Sequence, residues 1–158
     1  VPATEGGAGD GAGGGAWPLG ALGWREVTAG PRRPSPALTT GGLVVPGSTQ
    51  ARLVAFDSIT GLLGHDVTRF GVDVRRGRGL RLAVRLRDEW FASTPLRVGS
   101  NRLTRAGDWT RLRSSGHAAS AWPASRRMPL PSGALGGVGI LRPAASDIAV
   151  VRRVTVWR

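Results

Sequence analysis

Six tryptophans and 22 arginines carry most of the chemistry this chain's side chains could do. The tryptophans are Trp17, Trp24, Trp90, Trp109, Trp122 and Trp157, and there is no tyrosine. An indole offers a broad apolar face and one N–H donor, suited to a core, to a neighbour's pocket or to stacking on a sugar ring. Every basic residue is arginine, with no lysine, set against 10 acidic residues for a formal net charge of +12. A guanidinium is always ionised and presents five donors in a planar fork, so it grips carboxylates, phosphates or sulfates two bonds at a time. The missing lysine goes together with 25 Gly, 11 Pro, one Asn (Asn101) and one Gln (Gln50), the marks of a GC-rich genome. The choice of arginine therefore reports the source, and only the net charge bears on function.

The residue types of catalysis are sparse. His65, beside Asp66, and His117 are the two histidines. An adjacent acid could make His65 a base, but a loop histidine bonded to its own backbone or to solvent is the simpler reading. There is no Gly-x-Ser-x-Gly elbow, no His-Glu-x-x-His and no phosphate-cradling glycine loop. Asp88 and Glu89 are adjacent in an extended stretch, which turns them to opposite faces and makes them a poor acid/base pair. Asp57, Asp66, Asp88 and Asp108 lack any calcium-loop spacing and read as solvated turn acids. The absence of cysteine removes disulfides and thiolate metal sites. No enzyme, cofactor or metal is expected, and no run nears the ~18 apolar residues of a membrane span.

The elements that must position the arginines and tryptophans read as strands. Runs rich in branched and aromatic residues cover 52–56, 68–74, 80–87, 109–113, 138–141 and 148–157, nearly all bounded by Gly, Pro, Asp or Ser. In the clearest, Leu82, Val84 and Leu86 face one side and Arg81, Arg85 and Arg87 the other, the period of a half-buried strand. Trp109 to Arg113 repeats it, with Leu112 opposite Arg111 and Arg113. If these two strands are neighbours, Arg81, Arg85, Arg87, Arg111 and Arg113 form one cationic stripe. The last run, apolar on both faces at several positions, predicts an interior strand that closes the fold. Helix evidence is thin, since Gly or Pro interrupts almost every candidate. Roughly six to nine strands without βαβ alternation predict an all-β antiparallel β-sandwich, jelly-roll-like.

Residues 1–23 predict a flexible, Gly-rich extended arm, and 24–158 a single β-sandwich domain. Trp109 and Trp157, on strands, are expected in the core. Trp90 and Trp122, in turn-rich context, are the candidates for partner or glycan contact. Residues 114–136 read as a connection long enough to dock on a partner.

Gly23-Trp24, the strand pair around residues 69–74 and 80–87, then Gly107-Asp108-Trp109-Thr110 and the closing strand Val150 to Trp157, resemble jelly-roll carbohydrate-binding-module-like domains. Such domains occur as accessory modules of secreted enzymes and in bacteriophage tail and capsid-surface proteins. The resemblance implies a non-enzymatic structural subunit of a phage virion, a capsid decoration or minor tail protein docking through its arm and an arginine-rich sheet face. Its expected partners are acidic surfaces of other virion proteins and homo-oligomeric copies. The alternative is a glycan- or polyanion-binding module of a secreted or cell-surface protein. A nucleic-acid role ranks last, because the arm to residue 24 carries no arginine and the charge sits in the folded region.

Overall fold

The structure, a computed structural model, describes residues 16–18, 25–26, 36–47, 52–56, 67–87, 89–112, 126–133 and 135–157. Among them the chain is all-β, with two antiparallel sheets packed together. In the first sheet, β3 (Ala37–Thr39), β4 (Gly42–Val45), β13 (Ala149–Trp157), β6 (Arg69–Arg76) and β9 (Gly99–Thr104) lie side by side, and β1 (Ala16–Pro18) also pairs with β13. The second sheet runs β11 (Arg127–Met128), β10 (Trp109–Arg111), β8 (Glu89–Ser93), β7 (Arg81–Leu86), β12 (Leu135–Arg142), β5 (Arg52–Phe56) and β2 (Arg25–Glu26). The connections from β4 to β5, β5 to β6, β6 to β7, β8 to β9, β9 to β10 and β12 to β13 each pass from one sheet to the other.

Alternation builds the interior. Phe70, Val72 and Val74 of β6 and Ala149, Val151, Val154 and Val156 of β13 turn inward from the first sheet. They meet Leu82, Val84 and Leu86 of β7 and Val138 and Ile140 of β12 from the second. Burying each Val, Leu or Ile contributes about 1.5–3 kcal/mol. Trp109 is buried as the sequence predicts: its ring meets Phe70 edge-on at 5.5 Å, and its Nε1–H donates to the Thr104 carbonyl at 3.0 Å. The strand at 148–157 is interior, as expected, with β4 and β1 on one side and β6 on the other.

Among the described residues thirteen strands stand where six to nine were expected. Part of the excess is strands with little apolar pattern, such as the edge strand β9, Gly-Ser-Asn-Arg-Leu-Thr. Its end is fixed by Asn101, whose Oδ1 accepts from the Arg97 N–H at 2.9 Å while Nδ2 donates to the Arg97 carbonyl at 2.8 Å. Two short strands also lie where none was expected: β1 within the Gly-rich arm, and β11 within the connection at 114–136.

The second sheet departs from the half-buried pattern. Its outer face carries another apolar cluster, Leu53, Ala83, Ala92, Leu112 and Leu141, with Trp90 packed against it. None of those five is more than 2% exposed, so this sheet is buried on both faces. Arg52 and Arg142, cross-strand neighbours on β5 and β12, are buried at the sheet end, at 1% and 2% exposure. Arg142 donates to the Val45 carbonyl at 2.9 Å and meets Asp147 at 3.3 Å, while Arg52 donates to the Pro46 carbonyl at 3.3 Å. These guanidiniums tie the second sheet to the end of β4 in the first.

Candidate functional site

The single arginine stripe requires β7 and β10 to be adjacent, and β8 lies between them. Arg111 pairs across to Phe91, a core residue, so it stands on the face opposite Arg81 and Arg85. There it meets Glu89 at 3.1 Å in a half-exposed ion pair. Arg81 and Arg85 flank Ala83 and are half-buried. Arg81 donates to the Ser93 carbonyl at 3.2 Å, and burial, then the charge of Arg127, pushes its guanidinium below the ordinary arginine value. Arg85 donates to the Gly136 carbonyl at 2.6 Å and to the Arg87 carbonyl at 3.3 Å. Arg87 is exposed, in the turn between β7 and β8, with φ of 57°. Trp90 lies on β8, half-buried against the outer cluster, rather than in a turn. Arg113, Trp122, Trp24, His65 and His117, with Asp57, Asp66 and Asp88, lie outside the described residues. Asp108 is exposed, and among the described residues no group of three or more His, Cys, Asp or Glu could hold a metal.

Exposed arginines are spread over the molecule, Arg87, Arg111 and Arg127 on the second sheet among them, and one group of them stands on the outer face of the first sheet. The registers of β13, β6 and β9 set three cross-strand rows on that face. They are Trp157, Arg69, Thr104; then Thr155, Gly71, Arg102; then Arg153, Asp73, Ser100. Between Val151 and Arg153 the register shifts, so Arg152 is an extra residue opposite β6. This bulge interrupts the alternation and leaves both Arg152 and Arg153 exposed while Val151 and Val154 stay buried. Arg152 approaches Asp73 at 3.9 Å. Arg152 and Arg153 thus lie beside one carboxylate, that of Asp73, with Arg102 one row away and Arg69 two rows away on the same face.

Gly71 is the hole at the centre of these rows. With no side chain there, the indole of Trp157 tips over from the neighbouring row: a Cβ on Gly71 would sit 2.9 Å from its Cη2 and 3.0 Å from its Cζ3. The Arg69 guanidinium lies 5.7 Å from the Trp157 ring centroid, within cation–π range. The unfilled part of the hole is an open cleft of about 170 Å³ bordered by Trp157, Thr155, Arg153, Asp73, Ser100 and Arg102. Such a cleft can hold a small polar ligand. The indole supplies an apolar wall, the guanidiniums grip an anion, and the carboxylate and hydroxyls accept from hydroxyl donors.

Trp157 was expected in the core, and the structure places it half-buried on this outer face. The sequence carries two signals of the arrangement: the doublet Arg152-Arg153, which breaks the alternation of β13, and Gly71 in the middle of β6. Comparison with protein-family models, with curated proteins and with solved structures finds no match for this chain.

Proposed function

We propose that this chain is a non-enzymatic attachment module, a structural subunit of the kind a phage virion carries on its capsid or tail, which docks on an acidic surface through the outer face of its first sheet. A local cluster of exposed arginines on that face carries this reading. Arg69, Arg102, Arg152 and Arg153 are exposed on one face, whereas Arg52, Arg81, Arg85 and Arg142 bond backbone carbonyls elsewhere. A face on which arginines outnumber the one carboxylate, Asp73, steers acidic partners to it and binds them in a salt-dependent way.

The test is retention on immobilised polyglutamate and on heparin across a salt gradient. Wild type is expected to bind at low salt and elute as salt rises, and the triple variant R102Q/R152Q/R153Q to pass through. Equal retention of that variant would count against the reading. In a virion the docked face is covered, so phenylglyoxal labelling of Arg102, Arg152 and Arg153 is expected to fall in particles relative to the free chain. The cleft beside Trp157 favours a second reading, in which the acidic surface is a glycan.

A further inference from the structure

We infer that the cleft over Gly71 is a binding site for one acidic sugar residue of a polymer, a pyranose ring bearing a carboxylate or sulfate; this rests on the glycan reading of the same face. The argument is the chemical mixture around the hole. A purely electrostatic docking face gains nothing from a carboxylate in its middle, because Asp73 repels the anion that the arginines attract. It gains nothing from an indole wall either.

A ligand that is anionic at one end and hydroxyl-rich elsewhere uses both. Arg102 and Arg153 stand on opposite sides of the hole, on β9 and β13, where either fork can take the anionic group. Asp73 is an acceptor that discriminates hydroxyl donors, with Ser100 and Thr155 as further hydroxyl partners. The Trp157 indole, its benzenoid edge seated over Gly71, gives the apolar face of a ring something to lie against. A cleft of about 170 Å³, open to solvent, suits one ring of a chain that continues past it on either side.

Four polymers separate the outcomes: polygalacturonate (carboxylated sugar), dextran sulfate (sulfated sugar), neutral dextran and polyglutamate (an anion without sugar). By titration calorimetry at matched charge concentration and salt, wild type is expected to bind at least one acidic sugar polymer about tenfold more tightly than polyglutamate, the effect of one charge-assisted hydrogen bond. The two sugar arms decide between carboxylate and sulfate. Asp73→Asn is expected to erase the preference for sugar while keeping or raising the affinity for polyglutamate, and Trp157→Ala to lower sugar binding alone. Should Trp157→Ala fail to fold, Asp73→Asn still decides, since its exposed contact with Arg152 contributes little to stability. Equal binding of polyglutamate and of both acidic sugars would overturn the sugar site and leave the docking face standing. An unchanged preference in Asp73→Asn would also overturn it. Failure to bind any of the three anions would sink the docking reading itself.

Discussion

Arginine does two different jobs in this molecule, and the difference is visible atom by atom. Arg105 donates from Nε to the Val67 carbonyl, from Nη1 to Pro131 at 2.8 Å and from Nη2 to Gly133, tying its own turn to two other chain segments with one planar fork. An ammonium cannot span three carbonyls so spread, so Arg105→Lys is expected to lower stability by about 1–3 kcal/mol although the charge is kept. Chemical denaturation of the two proteins checks this, and equal midpoints would refute it. Arg142 is the buried counterpart. Burial pushes its guanidinium below the ordinary arginine value, with Asp147 acting against that shift and the neighbouring Arg52 adding to it. Its charge persists at neutral pH, stabilised by the Val45 carbonyl and Asp147. Arg142→Ala strands that carbonyl and opens a void, for an expected loss of about 2–4 kcal/mol by the same measurement. A loss no larger than that of an exposed arginine would show that the tie between the sheets is dispensable.

At the scale of the element, two glycines show how neighbours decide what a methyl costs. Gly42 opens β4 with φ of +121°, and a Cβ there would lie 2.2 Å from the Val151 carbonyl oxygen of β13. Backbone cannot step aside, so Gly42→Ala is expected to destabilise by more than about 2 kcal/mol in denaturant titration. At Gly71 the added methyl crowds the far end of the Trp157 side chain, while the Asn101 carbonyl stays at an ordinary 3.9 Å. Gly71→Ala is expected to leave stability within about 1 kcal/mol while displacing the indole, read as a shift of the Trp157 indole N–H resonance. An unmoved resonance would mean that the ring does not rest on Gly71. The same contrast explains what could be read in advance. Strands β5, β6, β7, β10, β12 and β13 were legible because large apolar residues recur along them and turn residues bound nearly all of them. Strand β9 was not, because its pairing is set by register with β6 and by Asn101 rather than by apolar pattern. The site was not legible either. Its rows depend on β13 and β6 being neighbours and on a bulge at Arg152, and no local pattern in the chain states strand order. For the same reason Arg81, Arg85 and Arg111 were grouped on one face, when β8 separates their strands and the register turns Arg111 away.

For the whole molecule, a net charge of +12 on 158 residues is a standing electrostatic cost, since like charges repel most in the compact state. Where the charges sit decides whether removing them helps or harms. Arg102, Arg152 and Arg153 are exposed, and the contact from Arg152 to Asp73 is long, at 3.9 Å, and worth at most about 1 kcal/mol. The triple variant R102Q/R152Q/R153Q therefore relieves repulsion without releasing any buried carbonyl. Its melting temperature at low salt is expected to equal or exceed that of wild type, and the gap to narrow as salt screens the repulsion. The arginines that bond carbonyls behave the other way, because salt does not replace a hydrogen bond inside the fold. A triple variant that melts well below wild type at every salt concentration would show that this face, like the buried arginines, holds the sandwich together. A variant that melts no lower yet no longer binds acidic polymers assigns the exposed arginines to a partner.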